Sequence, residues 1–213
     1  MVQAIPAAEV TLRTLKQKFG LQPAQDPSFF SEWSRLSTGL TEADRLLLDR
    51  VKSNFLELMD DPPMLENSVK MVVLAPLLDL SGFYHKPFRI ETETSVDVEM
   101  EDEEIVIRGR IDVLVLKARL WLLVIESKRS DFAVTRAIPQ ALSYMLGNPE
   151  TSQPTFGMIT NGNEFLFLKV SCKPVAQYAN SKLFSLINPN NELYSVLQIL
   201  KQLGQEAIAS ETL

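Results

Sequence analysis

The stretch from residue 104 to residue 128 constrains the fold more than any other part of the chain. Residues 104–116 alternate, with Ile105, Ile107, Ile111, Val113 and Val115 on one parity, while residues 120–128 are apolar on both parities until Glu126 and Lys128. A period of two is the strand signal, and a strand with no polar face belongs inside a sheet that is covered on both sides. Residues 117–119 join the two as a tight turn, so a hairpin with a central second strand is predicted.

The flanking segments supply the cover. Residues 9–19 and 42–59 carry apolar positions at helical spacing, Thr41 is a good N-cap, and Asp60-Asp61-Pro62-Pro63 ends the second of them. A short helix is expected over 28–36 after Asp26-Pro27, and no strand is expected in the first sixty residues. A further helix over 64–80 should kink at Pro76 and stop at Ser81-Gly82. Then the period changes: 88–98 reads as a strand with Phe88, Ile90, Val96 and Val98 on one parity and a polar opposite face, followed by a charged turn at 99–103. Residues 136–146 suit a helix with Pro139 in its first turn, 155–160 and 164–170 are strands flanking the hairpin signal Asn161-Gly162, and 191–206 is an amphipathic helix. The expected architecture is α/β: a mixed central sheet flanked by helices, with a helical N-terminal extension (1–61), a core (62–170) and a C-terminal extension (171–213).

A chain of 213 residues, 46% hydrophobic, can bury one sizeable core. No apolar run reaches the roughly 18 residues of a membrane span; the longest, over 113–125, is broken by Lys117 and Arg119. The N-terminus does not read as a signal peptide, and with Cys172 as the only cysteine a reducing cytoplasmic home is expected. One cysteine and one histidine, His85, argue against zinc sites and Cys/His nucleophiles, and no phosphate-binding Gly-x-x-x-x-Gly-Lys loop is present, so no ATP is expected. The net charge of −6 argues against nucleic acid as a partner, but the charge is unevenly spread. From Glu91 to Glu104 there are eight acids and no base, whereas Ile105 to Arg136 holds seven Lys/Arg against three acids.

The chemistry concentrates in the predicted hairpin. Residues two apart on a strand share a face, so Glu126 and Lys128 project together. Asp112 is a lone acid within Ile-Asp-Val-Leu-Val-Leu, and a carboxylate there costs several kcal/mol unless a cation or donors satisfy it. Pairing across 117–119 brings Asp112 beside Glu126, giving two carboxylates and an ammonium at one point. Such a set suits Mg²⁺, which keeps much of its water shell, and a neighbouring lysine can stabilise added negative charge on a phosphate. Two crowded acids without such an ion should be strained. The alternative is a buried Asp–Lys ion pair with no catalytic duty.

Gly109-Arg110-Ile111-Asp112, then Glu126-Ser127-Lys128, then Gln140-Ala-Leu-Ser-Tyr144 resemble the signature of PD-(D/E)xK nucleases. Within that superfamily they are similar to the RecB-type branch and to the N-terminal nuclease domain of type I restriction enzyme R subunits. Ile159-Thr160-Asn161-Gly162 with Phe165 and Phe167 fits the end of that domain, so the resemblance covers about 62–170; Ile111 stands where the motif name has proline. The resemblance implies a restriction-endonuclease-like fold. It implies Mg²⁺, with Mn²⁺ as a substitute, held by Asp112, Glu126, the Ser127 carbonyl and Glu66. Lys128 would be the catalytic lysine, with Gln140 and Tyr144 supporting the site or contacting the DNA backbone. Arg110, Arg129 and Arg136 are the candidates for phosphate contacts. The implied activity is endonuclease-type hydrolysis of DNA, by a homodimer or with a partner subunit. A non-cleaving DNA-binding or protein-interaction module that keeps the fold is the alternative. Full R subunits carry a translocase after the nuclease, and the missing phosphate-binding loop departs from that pattern.

Overall fold

The computed structural model describes residues 3–36, 39–60, 63–100, 103–117 and 120–209. Among them a mixed sheet has eight strands: β1 (Gln3–Pro6), β2 (Gln22–Pro23), β3 (Phe88–Met100), β4 (Glu103–Lys117), β5 (Leu120–Ser127), β6 (Thr155–Thr160), β7 (Glu164–Ser171) and β8 (Gln177–Ser185). Their order is β1-β4-β5-β6-β7-β8-β2, with β3 also paired to β4. β4 is antiparallel to β3 and β5, β5 is parallel to β6, and β6, β7 and β8 are antiparallel neighbours. The parallel step from β5 to β6 requires a crossover, which α5 (Ile138–Leu146) supplies after a 3₁₀ turn at Val134–Ala137.

Helices cover both faces. On one, α2 (Glu42–Leu58), α4 (Ala75–Leu80) and α6 (Leu193–Ala209) bury Leu48, Phe55, Leu77, Leu197 and Leu200 against Val113, Ile125, Met158 and Phe167. On the other, α1 (Leu12–Phe19) and α5 bury Leu15, Leu142 and Met145 against Ile111, Ile159, Leu166 and Leu168. Each fully buried side chain of this size contributes about 1.5–3 kcal/mol. Thr41 caps α2 in a reciprocal box with Asp44, and Lys201 reaches Asp44 at 2.8 Å, pinning α2 to α6. No helix among the described residues is long and apolar enough to cross a membrane.

Several elements differ from the expectation. The first sixty residues do contain strands: β1 pairs in parallel with β4 and β2 with β8. Both are too short to carry a period of their own and exist because a partner strand supplies the ladder. Residues 28–36 form turns, not a helix; the Asp26 carboxylate accepts the backbone N–H and the hydroxyl of Ser28, an alternative to helical bonding. The 64–80 segment is α3 (Glu66–Val69), a π-turn (Lys70–Leu74) and α4. Pro76 has no N–H to give, and the wide turn, closed by the Ala75 N–H on the Lys70 carbonyl, admits it at the start of α4. The turns expected at 99–103 and 117–119 centre on residues outside the described ones.

The most consequential difference is in β3 and β4. Phe88 and Ile90 pack on the α2/α4/α6 side, whereas Val96 and Val98, of the same parity, pack on the α1/α5 side. β4 changes face in step, between Ile111 and Val113. Opposite that point lies Glu93, at φ 57°, the one non-glycine residue with positive φ among those described. The polar face expected for 88–98 is therefore split between two layers by a local twist of both strands.

Candidate active site

The reversal coincides with a fork. β3 lines one edge of β4 throughout; the other edge takes β1 at Ile105–Arg108 and β5 from Val113 onward. Residues 109–112 lie between, and side chains take over from the ladder. The hydroxyl of Tyr144, on α5, accepts the Arg110 backbone N–H at 3.3 Å and the Gln140 amide at 2.9 Å. Gly109 makes room for it: a Cβ there would lie 2.5 Å from a Tyr144 ring carbon and 2.7 Å from the Ala7 methyl. Two residues beyond Arg110, one oxygen of Asp112 accepts the Ser127 backbone N–H at 2.8 Å. Gln140 and Tyr144 are thus beside the hairpin.

Glu126 occupies the end of β5 with a side chain only 3% exposed. The Lys128 ammonium lies 2.5 Å from its Oε1, while its Oε2 is buried without a hydrogen-bond partner. Burial, above all, pushes the Glu126 carboxyl up to about 7; Lys128 pulls it back, and the charges of Asp112 and Glu66 add to the rise. Lys128 follows the strand, its N–H on the Thr160 carbonyl at 2.7 Å and its ammonium 5.7 Å from the centre of the Phe132 ring. Glu66 opens α3, which is placed by reciprocal bonds between Met64 and Ser130, just beyond Lys128. Ser127 is buried and its hydroxyl has no partner. Burial also raises the Tyr144 phenol, partly offset by Gln140, with the Glu126 charge contributing to the rise.

Two residues not assigned to the site by sequence belong to it. Lys70, one turn after Glu66 and first in the π-turn, places its ammonium 2.5 Å from Asp112 Oδ1 and 3.4 Å from Glu93. Burial works against its charge, but Asp112, then Glu93, outweigh that and raise its pKa. Glu93 in turn binds Arg110 at 2.8 Å. The strain expected of two crowded acids is therefore unevenly shared: Asp112 is compensated on both oxygens and Glu126 on one. Arg110 and Arg129 are exposed and paired, with Glu93 and with Asp131, and Arg136 is exposed on the 3₁₀ turn before α5. A Glu66–Lys70 spacing of four was visible in the sequence, but Glu93 is one of eight acids in its run and carries no distinguishing signal.

The donor set fits a hydrated Mg²⁺. Such an ion takes one or two carboxylates and keeps several waters, and the bare Oε2 of buried Glu126 is an acceptor in search of a cation. Among the described residues no three Asp, Glu, His or Cys side chains close into a cage, so a fully dehydrated site does not fit.

The model of the family described as "Type I restriction enzyme R protein N terminus" matches residues 17–174. Among solved structures, one described as a fragment of an HsdR subunit of a type I restriction enzyme from Vibrio vulnificus is similar, at 21% identity and a TM-score of 0.42. The match covers 68% of this chain and 26% of that one, so the chain spans about a quarter of that structure's length. No curated protein matches. The family match takes in β3 to β7, α5 and every candidate site residue from Glu66 to Tyr144; the chain belongs to the family of type I restriction enzyme R protein N-terminal domains.

Proposed function

We propose that this domain hydrolyses phosphodiester bonds in DNA, with Mg²⁺, or Mn²⁺ in its place, held by Asp112 and Glu126. The Ser127 carbonyl, and Glu66 through a water on the ion, would complete the set. The observation that carries the reading is Asp112 bound to the backbone N–H of Ser127, next to Glu126 at the β4–β5 fork, with Lys128 on one oxygen of Glu126 and the other buried and unpartnered. When bound, the ion supplies an acidified water and neutralises charge on the phosphate. The chain's own residues do the rest. The Ser127 N–H fixes the Asp112 carboxylate, Lys128 stabilises negative charge that builds on the phosphate, and Gln140 with Tyr144 buttresses β4 beside the acids. Arg110, Arg129 and Arg136 would contact the DNA backbone. The family's name further suggests work within a multisubunit restriction enzyme.

The second reading, a DNA-binding module that does not cut, draws on the lysine each acid already has: Lys70 for Asp112 and Lys128 for Glu126. One experiment separates the two. The protein is incubated with duplex, single-stranded and branched DNA in Mg²⁺, Mn²⁺ or EDTA, beside Asp112→Asn and Lys128→Ala. Cleavage by the parent with a divalent ion, lost in both variants and in EDTA, supports the nuclease. Binding without cleavage on every form of DNA favours the module.

A further inference from the structure

Lys70 stands between two acids of unequal depth. Asp112 is 15% exposed and lies 2.5 Å from its ammonium; Glu93 is 48% exposed and lies 3.4 Å away. The arrangement is held from both sides. Ser127 fixes the far oxygen of Asp112, so that Oδ1 is turned toward the lysine, and Arg110 fixes the far oxygen of Glu93. Neither carrier is ordinary backbone. Lys70 begins a π-turn and Glu93 has its φ at 57°, conformations that persist where the surroundings impose them and that cluster at functional sites. A cavity of about 360 Å³, lined in part by Asn67, Lys70, Glu93 and Asp112, gives these groups access to solvent.

We propose that Lys70 is an exchangeable built-in cation for Asp112, which a divalent ion must displace, and that Glu93 is the acid that receives the displaced ammonium. The inference rests on the metal-site reading above. It follows from the geometry: Oδ2 is already held by the Ser127 N–H, so Oδ1 is the oxygen free of the backbone that can turn fully to an ion, and Lys70 is on it. Two cations on one carboxylate oxygen repel strongly at such range, so the lysine has to leave. Glu93 is the acid it already touches, at the wetter end of the cavity, where an ammonium loses less hydration. Lys70 and Glu93 are thus positioning residues that set how readily Asp112 becomes a ligand.

The test is titration calorimetry with Mn²⁺ on the intact chain, in the absence of DNA. The variants are Lys70→Met, Lys70→Arg, Glu93→Gln and the double variant Lys70→Met/Glu93→Gln, with circular dichroism to check each fold. Lys70→Met should bind Mn²⁺ at least about tenfold more tightly than the parent, while Lys70→Arg, which keeps the charge, should not. Glu93→Gln should weaken binding in the parent and have no effect in the Lys70→Met background. Equal affinity of parent and Lys70→Met overturns the inference and leaves the metal site standing. An undiminished effect of Glu93→Gln when it is combined with Lys70→Met overturns the role given to Glu93. Absence of binding in every folded variant removes the metal site and this inference with it. Should Lys70→Met not fold, tighter binding in Lys70→Arg than in the parent, or no loss of affinity in Glu93→Gln, is decisive against it.

Discussion

Replacing Glu126 by Gln should change how stability depends on pH more than it changes stability itself. Folding lifts the Glu126 carboxyl from an ordinary 4.5 to about 7, chiefly by burial. The native state therefore binds the proton more tightly than the unfolded chain does. Stability from this group is fully present below pH 4.5 and is lost as the pH rises through 7. At about 1.4 kcal/mol per tenfold change in proton affinity, the loss across that window is about 3 kcal/mol. An amide does not titrate, so the parent should lose about 3 kcal/mol relative to Glu126→Gln between about pH 4.5 and 8. Groups elsewhere cancel in the difference, and the pull of Lys128 on the ionised carboxylate is already contained in the raised value. Urea denaturation in EDTA, followed by the fluorescence of Trp33 and Trp121 at several pH values, measures it. A parent that gains stability over the variant as pH rises would show that Lys128 outweighs burial, and a flat difference would show that Glu126 is hydrated. Either outcome refutes the argument from desolvation.

Other substitutions test other parts of the arrangement. Gly109→Ala would drive a methyl into the Tyr144 ring and Ala7, and should cost about 1–3 kcal/mol in denaturant midpoint experiments. Thr41→Ala removes the reciprocal cap of α2 and should cost about 1 kcal/mol in the same assay. Gln140→Ala should lower DNA cleavage while leaving the melting temperature within a few degrees, since its bond to Tyr144 is one of two that the hydroxyl makes; undiminished cleavage would remove Gln140 from the site. Asp112→Asn should abolish any thermal stabilisation by Mg²⁺, read as a melting shift with and without the ion.

Much of this was legible because local signals agreed with the tertiary outcome. Thr41 caps α2, Asn161-Gly162 turns β6 into β7, and the double-sided apolarity of β5 placed it between neighbours on both edges. Asp112 stood out as a lone acid inside a greasy strand, and Glu126 and Lys128 as ionisable residues at the end of one. The remainder depends on what lies across space. Gln3–Pro6 is a strand only because the β4 edge is open at Ile105–Arg108, and β8, whose Ser181 and Phe184 are buried amid polar neighbours, lacks a regular alternation. The expected single-parity face of β3 failed for a comparable reason. Nothing in Thr92-Glu93-Thr94 announces a left-handed glutamate, and one such residue reverses which face each later side chain meets.

The fork also accounts for why the chemistry sits where it does. Within an unbroken ladder the backbone donors of β4 and β5 bind each other and leave nothing for a buried acid. Where β1 has ended and β5 has not yet joined, the Arg110 N–H goes to Tyr144 and the Ser127 N–H to Asp112. Asp112 thereby gains a backbone donor that Glu126, with Lys128 alone, does not have. The two carboxylates are made unequal by their places at the fork. Asp112 has both oxygens engaged, one by Lys70, and Glu126 keeps one buried oxygen bare. On the proposed metal-site reading, a cation entering here would relieve Glu126 at once but would have to win Asp112 from Lys70. The strength of that competition, more than the presence of the two acids, would then set how tightly the pair binds a metal.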